Sequence, residues 1–138
     1  MNYKKIFLKK GKESSLERFH PWVFSGAVAY ADKNIAEGEI VEVYTANKEF
    51  IAVGHFQIGS IAVRVLSFNQ QEINHDFWVK RLAAAYQMRK DLGLDYTPEH
   101  SSFRLVHGEG DFLPGLIVDF YGSTAVMQAH SVGMHMHR

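Results

Sequence analysis

Residues 40–66, IVEVYTANKEFIAVGHFQIGSIAVRVL, decide the fold of the first half of the chain. They contain three runs rich in β-branched and aromatic residues, at positions 40–44, 50–54 and 61–66. Turn-forming residues separate these runs, among them Gly59 just before the third. Short apolar runs divided by turn residues are typical of neighbouring β-strands. This stretch therefore predicts a small, mostly β structure.

The residues before this stretch extend the pattern. Residues 3–9 place Ile6 and Leu8 on one face with lysines interleaved, which indicates a half-buried strand. A serine at position 14 or 15 can cap a brief helix, and Pro21 prevents that helix from continuing far. We therefore expect residues 1–70 to form one small, mostly β barrel-like domain.

A helix is predicted after residue 70. Residues 76–92 contain neither glycine nor proline, and Trp78, Leu82 and Ala85 recur at helical spacing. This spacing predicts a helix of about four turns with those three side chains on one face.

The two ends of this helix carry ordinary boundary signals. Asn74 or Asp76 can cap its start, and Gly93 follows its end. Arg89 and Lys90 suit the negative end of the helix dipole.

Strands are expected again after the helix. Residues 103–107, 116–120 and 123–129 have strand character, and the turn-rich residues 108–115 separate the first two. Residues 71–138 are therefore predicted to form a second small domain, and the chain as a whole is assigned to the α+β class.

Composition limits the possible functions. Among the 138 residues, 46% are hydrophobic and 22% charged, which is typical of a globular protein. The chain contains no cysteine, so disulfides, a thiolate nucleophile and cysteine-ligated metals are excluded within it. The first residues lack the apolar run of a signal peptide. We expect a cytoplasmic protein that does not interact with membranes.

Positive charge is concentrated at the start of the chain. The first 20 residues contain six Lys or Arg and two Glu, although the 15 basic and 15 acidic residues of the whole chain balance. A local excess of cations can face the phosphates of a nucleic acid, or it can be an ordinary solvated surface. The candidate phosphate contacts are Lys9, Lys10, Lys12 and Arg18.

Aromatic residues follow this basic segment. Trp22 and Phe24 would project from one face of an extended chain, either as stacking platforms for bases or as core residues. Core packing is the favoured interpretation for both rings. The polar residues beside them, His20 and Ser25, join Arg18 as candidate RNA contacts.

Two other motifs favour structure over chemistry. Gly108-Glu109-Gly110 resembles the start of a dinucleotide fingerprint, but Leu113 stands where the third glycine belongs. His130, His135 and His137 lie close in sequence without the cysteines or carboxylates that usually complete a metal site. No metal site is expected.

Two long segments resemble the bacterial ribosomal RNA large-subunit methyltransferase I family. They are residues 7–26, FLKKGKESSLERFHPWVFSG, and residues 103–122, FRLVHGEGDFLPGLIVDFYG. The resemblance implies that the first segment belongs to an RNA-binding PUA domain. The second would belong to a small β-β-α-β-β domain that precedes a catalytic domain.

The resemblance also implies an activity for the full-length enzyme: methylation of cytosine C5 in 23S ribosomal RNA with S-adenosylmethionine. The family adds a cysteine thiolate to the base, and neither a cysteine nor a glycine-rich cofactor turn occurs here. We therefore interpret the chain as an N-terminal portion without the catalytic domain. This portion is expected to hold no cofactor. Its expected partner is structured RNA, in particular 23S ribosomal RNA, and not DNA.

Two alternatives stay open. The first is a structural adaptor that docks a partner or associates with a second copy of itself. The second is an enzyme with its own general base, for which His20, His55 and His107 are the candidates, next to Asp111 or Glu109.

Overall fold

A computed structural model describes residues 3–91, 102–111, 113, 115–121 and 124–136. The chain divides into two compact units, the first ending at Glu72 and the second beginning at Ile73. Each unit is described by itself.

Six strands and one short helix form the first unit. Their bounds are β1 Lys4–Leu8, α1 Ser14–Glu17, β2 Trp22–Phe24, β3 Val28–Ala31, β4 Ile40–Tyr44, β5 Phe50–Phe56 and β6 Ile61–Ser67. The predicted strands and the brief helix are present. The short strands β2 and β3, which are joined by a 3-10 turn at Ser25–Ala27, were not predicted from the sequence.

The six strands form one curled sheet in the order β2-β6-β5-β4-β1-β3. Strands β1 and β4 are parallel, and the other neighbours are antiparallel. The two outermost strands, β2 and β3, are consecutive in the chain and only the Ser25–Ala27 turn separates them. Since three residues cannot span an open six-stranded sheet, the sheet has to curl until its edges approach each other. This half-barrel confirms the expected mostly β architecture.

Alternation along the strands places the core inside the curl. Ile6 and Leu8 of β1 are buried, as are Val41 and Val43 of β4, and Leu16 of α1 covers the same cluster. Successive side chains of a strand point to opposite faces, so the residues between these positions lie on the outer face.

Strands β5 and β6 pack closely at Gly54. A Cβ atom at this position would lie 2.2 Å from the carbonyl oxygen of Arg64 and 2.9 Å from the Cα of Val65. Both neighbours are backbone, which cannot move aside as a flexible side chain does. Glycine is therefore required at position 54 for the observed pairing.

We expect Gly54→Ala to destabilise the first unit by about 1–3 kcal/mol, because the new methyl group overlaps the β6 backbone. Urea unfolding followed by circular dichroism measures this change. Gly26→Ala is the matched control, since no atom lies within 4 Å of a Cβ there. Equal stability of the two variants would contradict the close-packing argument.

The second unit combines three strands with helices. The helices are α2 His75–Asp91 and α3 Val132–Met136, and the strands are β7 Ser102–His107, β8 Leu116–Tyr121 and β9 Thr124–Ala129. The strands form an antiparallel sheet in the order β7-β8-β9. A sheet with helices confirms the α+β class of the chain.

The family resemblance implied a small β-β-α-β-β domain, and the structure confirms a small domain of sheet and helix. The described residues of this unit have one helix, then three strands, then a short helix. No strand of the second unit therefore precedes α2 in the part of the chain that the structure describes.

Helix α2 begins as predicted and buries a different face. The Asn74 Oδ1 accepts the backbone N–H of Phe77 at 3.0 Å, so Asn74 is the capping residue. Phe77, Ala85 and Arg89 are the buried residues of the helix, whereas Leu82 is exposed. Of the three side chains expected on one face, Trp78, Leu82 and Ala85, only Ala85 is buried, and its buried neighbours are Phe77 and Arg89, eight residues before and four residues after it. The predicted stop at Gly93 lies outside the described residues.

Arg89 is buried by an ion pair instead of facing solvent at the helix end. Its guanidinium makes two hydrogen bonds to the carboxylate of Asp111, the Nη2 to Oδ2 bond being 2.9 Å. Its Nε donates to the backbone carbonyl of Arg104 at 2.9 Å. Asp111 also accepts the backbone N–H of His107 at 2.6 Å. The pair therefore connects α2 to β7 and to the turn at Gly108–Asp111.

We expect Asp111→Ala to lower the free energy of unfolding by about 3–5 kcal/mol, because it leaves the Arg89 charge buried and unpaired. Asp119→Ala is the matched control. Asp119 also pairs with an arginine, but the side chain of its partner Arg104 is 45% exposed and can regain water. Urea unfolding should show the larger loss for Asp111→Ala, and a loss no larger than that of the control would contradict the structural role of the buried pair.

Candidate nucleic-acid interface

The six residues proposed from the sequence as RNA contacts are all exposed. They lie on the segment that connects β1 to the Ser25–Ala27 turn, through α1 and β2. The six are Lys9, Lys10, Lys12, Arg18, His20 and Ser25. Their roles in binding stay predictions.

Backbone hydrogen bonds bring two parts of this segment together. The N–H of Lys9 donates to the carbonyl of Ala27 at 2.8 Å, and the N–H of Lys12 donates to the carbonyl of Lys9 at 3.0 Å. The Ser25 N–H donates to the carbonyl of Ser60 at 2.9 Å. The lysine turn at residues 9–12 therefore lies beside the Ser25–Ala27 turn.

The cations of this segment are free to bind an anion. Among the described residues, none of Lys9, Lys10, Lys12 and Arg18 forms an ion pair, whereas Lys4 lies 3.5 Å from the Glu39 carboxylate. Arg18 is held to α1 by a 3.5 Å bond from its Nε to the carbonyl of Ser14. Four unpaired cations on one short segment form a local positive surface.

Three aromatic rings lie at the other end of the segment. The ring centroids of His20 and Trp22 are 6.1 Å apart, those of His20 and Phe24 are 6.0 Å apart, and those of Trp22 and Phe24 are 6.3 Å apart. The His20 Nδ1 accepts the backbone N–H of Trp22 at 3.2 Å. In the neutral imidazole this leaves the Nε2–H as the available donor.

The structure corrects the expected burial of Phe24. Phe24 is 48% exposed and Trp22 is half-buried, while Val23 between them is only 3% exposed. Along β2 the single inward position belongs to Val23, so its aromatic neighbours face outward. Phe24 is therefore a candidate contact residue that the sequence reasoning assigned to the core. The alternation of Val23 with its flanking aromatics was the signal that could have identified it.

Phe19 separates Arg18 from His20 with unusual backbone geometry. Its φ is +61°, which bulky side chains rarely adopt, and its ring is 67% exposed and contacts Phe68 edge-on at 5.2 Å. Backbone strain of this kind costs on the order of 1–3 kcal/mol and concentrates at functional segments. It occurs here between two of the proposed contact residues.

Ser25 lies at the margin of an open groove. The groove has a volume of about 320 Å³, and its lining includes Val28, Phe56, Ile58 and Ala62 besides Ser25. The Ser25 hydroxyl therefore adjoins a largely apolar recess.

The residues of the enzyme hypothesis have structural contacts instead. Asp111 binds Arg89 and the backbone N–H of His107, so it does not pair with the His107 imidazole. The His107 imidazole lies 3.2 Å from the Arg104 guanidinium. Hydrogen bonds from Arg104 to Asp119 hold the pKa of the Asp119 carboxyl below its ordinary value of 3.8. His55 is 2% exposed within the sheet.

The other predicted features are reported for the described residues only. In this part of the chain no group of three or more His, Asp or Glu side chains could hold a metal ion. The side chains of His135 and His137 lie outside it. None of the helices it contains is both long and apolar enough to span a membrane. Strand β9 lies at an edge of its sheet and carries the exposed Val126 and Met127. The adaptor hypothesis, in which such a surface docks a partner, stays a prediction.

Comparison with known proteins finds similarity over nearly the whole chain. Residues 6–68 match the family model described as a PUA-like domain. The chain is 41% identical over 136 residues to Ribosomal RNA large subunit methyltransferase I of Erwinia tasmaniensis, matching 97% of this chain and 34% of the relative. The enzyme of the same name from Citrobacter koseri is 39% identical over 97% of this chain. Over about a third of their length, the chain is similar to proteins named Ribosomal RNA large subunit methyltransferase I.

Solved structures have a similar fold. A protein from Streptococcus mutans described as a SAM-dependent methyltransferase has a TM-score of 0.79 at 17% identity, over 97% of this chain and 35% of that one. A methyltransferase solved in complex with SAH also has a TM-score of 0.79. The chain spans about a third of the length of its methyltransferase I relatives, as it does of these structures.

The alternation along β2 predicts that substitutions at neighbouring residues destabilise the unit to different extents. Val23→Ala should lower the free energy of unfolding by about 2 kcal/mol, because it empties a core position. Phe24→Ala should change it by less than about 0.5 kcal/mol, because the ring is half exposed. Thermal melting of the two variants beside the wild type measures both. Greater destabilisation by Phe24→Ala than by Val23→Ala would show that the Phe24 ring is a core residue.

Proposed function

We propose that this chain is the RNA-binding N-terminal portion of an S-adenosylmethionine-dependent methyltransferase that modifies cytosine C5 of 23S ribosomal RNA. Residues 1–70 bind structured RNA, and residues 71–138 form the small domain that precedes the catalytic domain. The relatives' name supports the substrate class, and the PUA-like match over residues 6–68 supports RNA binding.

The observation that carries this proposal is the group of unpaired cations beside exposed rings. Lys9, Lys10, Lys12 and Arg18 lack ion pairs among the described residues, and Phe24 and His20 present rings at the end of the same segment. Lysine and arginine neutralise phosphates, and aromatic side chains stack on bases. Both kinds of RNA contact are therefore present on one continuous surface.

Each residue type has a separate role in this proposal. The cations bind phosphates and supply most of the affinity, which is independent of sequence. Exposed polar groups, the His20 Nε2–H and the Ser25 hydroxyl, hydrogen-bond sugars or bases at the edge of the apolar groove. Binding at this segment then orients the RNA for the catalytic domain.

The chemistry of methylation belongs to the rest of the enzyme. Addition to the pyrimidine ring requires a nucleophile such as a thiolate, and the 138 residues contain no cysteine. S-adenosylmethionine is accordingly assigned to the catalytic domain and not to these residues. In this proposal the present chain contributes binding and positioning.

Salt dependence of RNA binding tests the proposal. A transcribed hairpin from 23S ribosomal RNA should bind the wild-type chain, and the affinity should fall steeply as salt rises. The double variant Lys10→Ala, Lys12→Ala should reduce the log–log slope by about 1.5–2, since each lost phosphate contact lowers it by about 1. Fluorescence anisotropy at salt concentrations from about 50 to about 200 mM gives the affinity and its salt slope.

The control removes two exposed lysines from helix α2, Lys80 and Lys90, which lie outside the proposed surface. This variant has the same net charge as the test variant and should keep the wild-type slope. Equal slopes for the test and control variants would place the phosphate contacts elsewhere. No binding by the wild-type chain would refute the proposed function.

A further inference from the structure

A second aromatic group lies on the outer face of the curled sheet, away from the β2 rings. Phe7 stacks on Tyr30 with 4.6 Å between ring centroids and 19° between planes. On its other side Phe7 stacks on Tyr44, at 5.6 Å and 29°. We refer to Tyr44, Phe7 and Tyr30 as the aromatic stack.

Strand register produces this stack. Phe7 of β1 lies directly opposite Tyr30 of β3 and also opposite Tyr44 of β4. Its chain neighbours Ile6 and Leu8 are buried, so Phe7 projects from the outer face. Three cross-strand neighbours on one face bring their rings into contact, as aromatic pairs across strands commonly do.

The stack is closed at one end and open at the other. At the closed end, Phe50 packs edge-on against Tyr44 at 5.9 Å. At the open end, Tyr30 belongs to β3, an outermost strand of the sheet, and is 56% exposed. The ring contact that the described residues give Tyr30 is the one with Phe7. One face of Tyr30 is therefore available to a further planar group.

Lysines flank the stack along β1 and just beyond it. Lys5 and Lys9 stand two positions before and after Phe7, which separates their Cα atoms by about 13 Å in an extended chain. The Lys5 Nζ lies 5.3 Å from the centroid of the Tyr44 ring. Lys5 therefore lies at the Tyr44 end of the stack, and the exposed Lys9 follows β1 on the same segment, so that cations accompany the rings as in proteins that bind single-stranded nucleic acids.

Two acidic residues lie nearby, and both are engaged: Asp32 accepts the backbone N–H of Lys5 at 2.8 Å, and Glu42 accepts side-chain hydrogen bonds. The Glu42 carboxylate accepts hydrogen bonds from the Tyr44 hydroxyl and from the Gln70 side-chain amide, both at 3.1 Å. Burial, and then Glu42, raise the pKa of Tyr44, so that its hydroxyl stays protonated and continues to donate. These bonds hold the Tyr44 ring in place at the base of the stack.

We propose that an unpaired RNA base stacks on the open face of Tyr30 as the next layer of the aromatic stack, while Lys5 and Lys9 contact the adjoining phosphates. This inference rests on the proposed RNA-binding function and adds a substrate feature to it, namely a single-stranded segment next to the structured part. A protein surface could also cover an exposed ring, but the ordered stack and flanking lysines favour a base. The experiment separates these two occupants.

The test compares two fluorescent RNA probes on the complete 138-residue chain. One probe is a blunt-ended hairpin, and the other is the same hairpin with a single-stranded tail of adenosines. We expect the tail to strengthen binding by the wild-type chain about five-fold or more, the contribution of one stacked base. Tyr30→Leu should abolish this gain, and Tyr30→Phe, which keeps the ring, should retain it.

The outcomes distinguish the two proposals. If the blunt hairpin binds but the tail adds nothing, or if Tyr30→Leu keeps the gain, the stacking proposal is wrong while RNA binding stands. If neither probe binds, both proposals are wrong. Loss of the gain in Tyr30→Phe as well would assign it to the hydroxyl group and contradict stacking. Self-association that Tyr30→Leu abolishes, with the gain unchanged, would identify the stack as a protein interface.

A measurement on the wild-type chain protects the test against a variant that fails to fold. Light-induced crosslinking of a tail that contains 5-bromouridine, followed by mass spectrometry, should place the adduct on Tyr30. Adducts confined to the segment from Lys9 to Ser25 would contradict the proposal.

Discussion

The first unit depends on the closure of its sheet at the Ser25–Ala27 turn. This turn joins the two outermost strands, and its ends accept and donate backbone hydrogen bonds with Lys9 and Ser60. The closure sets the curvature that encloses the valine-rich core. It also brings the lysine turn beside Ser25, so the same backbone bonds that close the half-barrel assemble the proposed RNA surface.

The outer face of this sheet combines stability with recognition. Cross-strand ring contacts among Phe7, Tyr30 and Tyr44 stabilise the pairing of β1 with both of its neighbours. The same contacts hold a planar surface ready before any ligand arrives, which reduces the entropy lost on binding. Together with the rings of β2, this arrangement gives the unit two groups of exposed aromatics beside lysines, a combination suited to RNA.

The second unit uses charge for a structural purpose. Arg89 and Asp111 form a buried pair whose remaining hydrogen bonds go to the backbone of β7 and of His107. These bonds order the turn at Gly108–Asp111, within the second of the two segments that resemble the methyltransferase I family. In this segment Asp111 therefore has a structural role, as the partner of Arg89 and of the His107 backbone.

The sequence by itself determined the strands β1, β4, β5 and β6, the helix α2 and the resemblance to methyltransferase I proteins, because local periodicity and long motifs need no knowledge of neighbours in space. It did not determine which side of a short strand is buried. Val23, and not the larger Phe24, enters the core because pairing of β2 with β6 orients the strand. Likewise, Arg89 turns inward only because Asp111, 22 residues later, supplies the opposite charge. The aromatic stack also required the tertiary structure, since Phe7, Tyr30 and Tyr44 become neighbours only through strand register.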